Sequence, residues 1–327
     1  MDNFQLLTDG LCDLPTSWLQ QYTNITVIDT PIVVNKGDET ITLRHLTPSD
    51  FDQVADYVNK GYSAHTSCPD IYMSDDSDKD SAENVEGVTR SFLEKGLDVI
   101  YVPMSSSLSS TYGYVSTLYT ELAKEYPDRK VLCVDSLCMS TGLGMLIMDI
   151  MDAYKNNQFE KLEDIVKFVE ENRGGIAHIF SWCEFSFIRK SGRVSLLPAF
   201  LGGALHFQPF CSNEFNDKGD GSRVLLPVKS TVRGEEKFAQ LLANFAKETI
   251  TDPEGTFIVA HGNRQGFADQ IAAKLKEAFP KATILVGPDW RVSSGIQVHG
   301  GPTSMHINFH RKQPNNFSQT SALVKNL

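Results

Sequence analysis

The stretch Asp98-Val-Ile-Tyr-Val-Pro-Met-Ser-Ser-Ser-Leu-Ser-Ser-Thr-Tyr112 constrains the fold of this chain most. Asp98 to Val102 reads as a short apolar strand, and Pro103 closes it because proline has no N–H to give to a ladder. Five serines and a threonine lie between Ser105 and Thr111. Beyond them Tyr112, Val115, Leu118, Tyr119 and Leu122 recur at helical spacing to about Ala123. A strand therefore runs through a hydroxyl-rich turn into a helix. Such a turn has two readings. Ser and Thr are ordinary N-cap residues, and one hydroxyl suffices for a cap. Hydroxyls, free N–H groups and a positive helix end also hold anions, at the strand ends where α/β folds collect ligands.

The same alternation runs through the first half. Asn3 to Leu7 reads as a strand that ends in Thr8-Asp-Gly-Leu-Cys-Asp-Leu-Pro15, followed by a helix to about Gln21. Ile25 to Ile28 and Ile32 to Val34 read as strands, Pro48 to Asn59 as a helix, and His65 to Asp70 as a turn. Tyr72 to Glu86 reads as an acidic loop, without the glycine and later glutamate of a calcium-binding EF-hand. Helices are expected at Val85 to Lys95 and Leu143 to Tyr154, and a strand at Val131 to Asp135. Strands and helices in alternation predict βαβ units and a mostly parallel sheet.

The second half mixes hairpins with helices. Phe159 to Glu171, Val232 to Lys247 and Phe267 to Phe279 read as helices. Ile176 to Phe180, Leu205 to Cys211, Val224 to Val228, Thr256 to Ala260, Thr283 to Val286 and Met305 to Phe309 read as strands. His178 and His206 read as core or sheet histidines, and Trp182, Phe185 and Phe187 as core aromatics. The expected fold class is α/β in two domains. Residues 1–157 form a three-layer α/β/α unit on a mostly parallel sheet, and residues 158–327 a smaller α/β unit on a mixed sheet.

Composition excludes several classes. A net charge of −11 argues against a nucleic-acid surface. No run approaches the length of a membrane span, and the start has no basic, then apolar, secretory leader. The six cysteines form no C-x-x-C pair, so reduced thiols in a cytoplasm are expected, and no metal.

Eight motifs, in order along nearly the whole chain, resemble the DegV family of bacterial fatty-acid-binding proteins. They are Thr8 to Pro15, Thr66-Ser-Cys-Pro69, Ser105 to Tyr112, Asp135-Ser136 with Gly142-Leu-Gly144, Arg189-Lys-Ser-Gly-Arg-Val194, Leu201-Gly202 through Pro209, Val232-Arg233 with Lys237, and His299-Gly-Gly-Pro302. The resemblance implies two α/β domains with a lipid at and between them. The acyl chain of a long-chain fatty acid would lie in an apolar tunnel, mostly in the N-terminal domain. Its carboxylate would be held by Thr66, Ser67, Ser105, Ser106 and His299. Such a protein does no chemistry itself and needs no cofactor. It presents the carboxylate to a separate ATP-dependent fatty acid kinase, and the bound acyl-phosphate feeds phospholipid synthesis. Arg193 and Arg233 match the family's arginines and are expected to hold the phosphate or dock the kinase. Ser110, Gln208 and Thr303 depart from the family's glycine, lysine and glycine.

Two other classes compete. A serine hydrolase would use Ser105 or Ser106 with His299 and Asp9 or Asp135, but no Gly-x-Ser-x-Gly elbow is present. A nucleotide-binding enzyme lacks a Gly-x-Gly-x-x-Gly or Walker A signature after the first strand.

Overall fold

The computed structural model describes residues 3–67, 84–182, 187–188, 207–312 and 316–327. Four parallel strands form one sheet in the order β2 (Ile25–Ile28), β1 (Phe4–Asp9), β6 (Asp98–Tyr101) and β7 (Val131–Cys133). Their apolar runs are covered on both sides, as parallel strands joined by crossover helices must be. On one side α3 (Val85–Glu94) and α4 (Thr111–Glu125) bury Val88, Val115, Tyr119 and Leu122 against Leu7, Val99 and Tyr101. On the other lies α5 (Thr141–Lys155), with Leu146, Ile147 and Ile150 against Leu6 and Ile100.

The second sheet has six strands. Their order is β10 (Arg223–Arg233), β9 (Phe207–Phe215), β8 (Ile176–Ser181), β13 (Met305–His310), β11 (Thr256–His261) and β12 (Thr283–Leu285). Only β11 and β12 run parallel, so the sheet is mixed, as expected. Its outer face packs under α7 (Glu235–Thr249), α8 (Gln265–Ala278) and α10 (Phe317–Asn326) through Phe210, Phe238, Phe245, Phe257 and Phe309. Its inner face meets α5, which is followed in the chain by α6 (Leu162–Asn172).

One helix is therefore sandwiched between two sheets. Ten of the fifteen residues of α5 are buried, which is why its sequence is apolar nearly all round. Gly142 and Gly144 permit the approach. A Cβ on Gly142 would lie 2.1 Å from the His178 ring, and one on Gly144 would lie 2.6 Å from the Cys12 carbonyl. The Gly-x-Gly pair is thus a packing requirement of this helix.

A third sheet was not expected. Antiparallel β4 (Glu39–Leu43), β3 (Ile32–Lys36) and β5 (Ser63–Thr66) form it, and α2 (Phe51–Asn59) packs Phe51 and Val54 onto Ile32 and Val34. The expected turn at residues 65–67 is thus partly strand, because pairing with β3 overrides a polar local sequence. A short helix, α9 (Ser294–Gly300), was also missed, and it carries His299. Val232 and Arg233 end strand β10 rather than begin a helix, and Gly234, at φ +85°, turns the chain into α7. The expected helix from Phe159 starts later, at Leu162. His206, Phe185, Cys68, Cys183, Leu201-Gly202 and most of the acidic loop lie outside the described residues. Cys12, Cys133, Cys138 and Cys211 are free thiols.

Candidate functional site

The carboxyl ends of β1 and β6 open onto a cavity of about 590 Å³. Parallel strands leave their ends free where the chain turns toward helix N-termini, and ligands collect there. Asp9 ends β1 and Leu11 follows it, while Tyr101 ends β6 and Met104 and the serine turn follow it. His65, Thr66 and Ser67 come from the end of β5, and Ile296, His299 and Gly300 from α9. The mixed sheet adds Trp182, Leu225 and His306, and Ile188 adds to the same wall.

Four of the five expected head-group residues line this one space: Thr66, Ser67, Ser106 and His299. Thr66 Oγ1 and His299 Nε2 are 3.0 Å apart, joining residues 233 positions apart in sequence. Ser105 is not in the lining. It is fully buried, its N–H donates to the Cys138 carbonyl (2.8 Å), and its Oγ accepts from Ser107 N (3.2 Å). It supports the turn rather than facing the cavity. Arg233 is exposed at the end of β10, and Arg193 lies outside the described residues.

Most hydroxyls of the serine turn are wired to protein. Ser106 donates its Oγ proton to Asp135, whose other oxygen accepts from Ser106 N (3.1 Å) and Leu137 N (3.0 Å). Ser107 Oγ accepts from Arg223 N (2.9 Å), which ties the turn to β10. Ser109 and Thr111 hydroxyls bond each other at 2.9 Å and line the cavity with Ser110. Ser110 has φ −78°, so serine replaces the family's glycine there without strain. Gln208 accepts from Arg264 (3.0 Å), so this position takes a guanidinium where the family pattern has its own lysine.

Two buried carboxyls lie at the end of β1 and just beyond it. Asp9 lines the cavity and accepts from Met104 N (2.8 Å) and Leu11 N (3.2 Å). Burial pushes it up to about 6 against the pull of those N–H groups. Asp13 accepts from the Ser140 hydroxyl and Ser293 N (2.9 Å), stapling the first turn to the starts of α5 and α9. Burial pushes it up to about 7.

Neither Ser105 nor Ser106 hydrogen-bonds an imidazole among the described residues, so the nucleophile–base contact of a hydrolase is not formed. No cluster of three potential metal ligands occurs among the described residues, and no described helix is long and apolar enough to cross a membrane. Trp182, read as core, is buried in a core cluster with Phe180, Ile188, Cys211 and Leu225 and also stands in the cavity wall. Met104, Leu108, Met139 and Ile296 also line it, and no local sequence signal separates them from ordinary core.

The DegV family pattern, described as "Uncharacterised protein, DegV family", matches residues 3–312. A DegV domain-containing protein of Clostridium perfringens is 25% identical over 293 residues, 88% of this chain and 91% of that protein. Among solved structures, a DegV lipid binding protein from Thermotoga maritima superposes with a TM-score of 0.73 at 21% identity, covering 96% of this chain and 100% of that one. The Streptococcus pneumoniae Fatty Acid Kinase (Fak) B3 protein, solved loaded with linoleic acid, gives 0.70 at 17% identity, covering 95% and 100%. With the pattern running from one end of the chain nearly to the other, over the fold just described, this chain belongs to the DegV family.

Proposed function

We propose that this chain is a carrier that binds one long-chain fatty acid in the cavity and presents its carboxyl to a separate, ATP-dependent fatty acid kinase in the cytoplasm. The observation that carries the reading is the convergence of Thr66, Ser67, Ser106 and His299 on one space whose wall also includes Leu11, Met104, Leu108, Met139, Trp182, Ile188 and Leu225. A carboxyl with a long tail requires both kinds of wall, hydrogen-bonding groups for its head and apolar side chains for its chain. The Thr66 and Ser67 hydroxyls and the His299 imidazole satisfy a carboxyl without the desolvation cost of a buried ion pair, while Ser106, whose proton goes to Asp135, borders the head group. A chain of roughly 14 methylenes, at about 0.8 kcal/mol each, gains roughly 11 kcal/mol gross on burial, enough to exceed the cost of association.

The relatives support the reading. The Thermotoga protein is described as lipid binding, and the Streptococcus protein belongs by name to a fatty acid kinase and holds linoleic acid. In this proposal the chain itself performs no catalysis, and the kinase product is a bound acyl-phosphate for phospholipid synthesis. Arg233, exposed at the end of β10, and Arg193 are assigned to the phosphate or to kinase docking. In the same proposal residues 1–157 hold most of the acyl chain and residues 158–327 supply the histidine and arginines. Trp182, Ile188 and Leu225 extend the apolar wall into the second part.

The test is mass spectrometry of an organic extract of the purified protein, with uptake of added hexadecanoic acid as a second measurement. A stoichiometric long-chain acid is the expected result. A protein that is clean and takes up none would sink the proposal. His299→Ala should weaken retention about tenfold, the worth of one charge-assisted hydrogen bond.

A further inference from the structure

Three buried polar atoms without a hydrogen-bond partner sit together beside the head-group end of the cavity. They are Trp182 Nε1, Ser304 Oγ and His306 Nδ1. Their residues are 2%, 0% and 2% exposed. The strands bring them together. β8 and β13 pair antiparallel with Met305 opposite Ser181 and His306 opposite Phe180, so Ser304 and Trp182 face each other one step beyond the ladder. Gly300 bridges the pair, since a Cβ there would lie 2.9 Å from Trp182 Nε1 and 3.2 Å from Ser304 Cβ. The preceding residue is His299. Trp182, Gly300, His299 and His306 all line the cavity.

Buried donors and acceptors are nearly always paired, because an orphan forfeits its hydration and receives nothing in return. Two orphans in the wall of a ligand-sized cavity, Trp182 and His306, with a third at Ser304 behind Gly300, mark a place whose partner arrives with the occupant. The groups also define that partner. An indole N–H only donates, while a hydroxyl and a neutral imidazole donate or accept. Burial pulls His306 down to about 3, so it carries no charge at neutral pH. No cationic side chain lines the cavity among the described residues. The set therefore suits one further ligand oxygen, and with the carboxyl taken by the neighbouring head-group residues that oxygen belongs to the chain. Its place next to His299 puts that oxygen within a few carbons of the carboxyl.

Resting on the carrier reading above, we infer that Trp182, Ser304 and His306 form a second polar subsite that selects acyl chains bearing a hydroxyl or keto oxygen close to the carboxyl. The cavity then discriminates by oxidation of the chain as well as by its length. Trp182 and His306 stand in the cavity wall, and Ser304 completes the set from behind Gly300.

The experiment is competition between hexadecanoic acid and 3-hydroxyhexadecanoic acid for the full-length protein, read by mass spectrometry of the bound fraction. The 3-hydroxy acid should bind about tenfold tighter, the factor expected for one newly satisfied hydrogen bond. In Trp182→Phe the ratio should fall to near one. Ser304→Ala, a smaller change that keeps the wall intact, should lower it part of the way and serves if Trp182→Phe does not fold. Equal binding of the two acids overturns the subsite while leaving the carrier reading in place. A tenfold preference that survives both substitutions overturns the assignment to these residues. Binding of neither acid removes both readings together.

Discussion

Strand β13 divides two kinds of interior. Met305, Ile307 and Phe309 point to the outer face of the six-stranded sheet, while His306, Asn308 and His310 alternate with them toward α5. Outside, Phe309 packs against Phe245 and Phe257 in a wholly apolar layer. Inside, Asn308 accepts from the Thr141 hydroxyl (2.6 Å) and donates to the Ala177 carbonyl (3.0 Å), and at the half-exposed rim of this face His310 bonds Asp149 at 2.8 Å. Both faces are buried, but apolar packing tolerates shifts that a paired polar group does not. The outer face holds the sheet together. The inner face fixes where α5 starts, and thereby the turn and cavity beside it.

The contrast can be broken most sharply from the outside. Phe309→Ala should lower unfolding stability by about 3–5 kcal/mol in urea denaturation, with ligand capacity per folded molecule retained. A loss of capacity larger than the loss of folded protein would mean that the outer face also shapes the cavity. Gly142→Ala works from the inside, driving a methyl into His178 and Asn308. It should cost about 1–3 kcal/mol and also reduce fatty acid uptake, because the start of α5 must move. Unchanged uptake at reduced stability would uncouple the inner face from the site.

A pH titration comes next. Asp13 has an ordinary value near 3.8 when unfolded and about 7 when folded, with burial the chief cause. The folded state therefore binds more protons through that window, so stability falls as pH rises from about 4 to 7 and levels off above it, with a slope approaching ~1.4 kcal/mol per pH unit. Asp9, raised to about 6, adds to the lower part of the window. Asp13→Asn keeps a residue that tolerates the φ of +52° at this position and should flatten the upper part of the slope. An unaltered slope would show that Asp13 titrates in its ordinary range.

The smallest effect belongs to the rim. Burial pulls His310 down, but the hydrogen bond and charge of Asp149 leave it raised overall. A raised histidine stabilises the fold at pH below about 6.5, and the contribution is lost as pH climbs through the folded value. With the His310 side chain 39% exposed, water screens the pair, and Asp149→Asn should remove only a few tenths of a kcal/mol at pH 5. A loss above ~1 kcal/mol would place this pair with the inner-face polar contacts.

Much of the architecture was legible where the signal is local. The strand, serine turn and helix from Asp98 onward lie within a residue or two of their expected places. So do α3, α5, α8 and the strands of the parallel sheet, since each writes its burial into its own periodicity. The edge strand β4 escaped notice because its residues are mostly exposed and bear no apolar run. Helix α9 escaped because its seven residues are buried nearly all round and show no helical stripe. Val232 and Arg233 read as helix because the apolar pattern of α7 runs back into them, and only the backbone at Gly234 breaks it.

The sequence by itself determined which chemistry was available: hydroxyls at two turns, one histidine before paired glycines, an acidic surface and no metal-binding cysteine pattern. Those features depend on residue identity and short spacing, which a chain carries before it folds. The tertiary structure decided the assignments. It brought Thr66 within 3.0 Å of His299, turned the Ser106 proton to Asp135, and withdrew Ser105 into the turn. It also left Trp182 Nε1 and His306 Nδ1 without partners in the cavity wall, and Ser304 Oγ without one behind it. Each of these outcomes depends on strand register and on the approach of α5 and α9 across long sequence separations. Contacts of that kind are set by how sheets and helices pack, and nothing in the neighbouring residues records them.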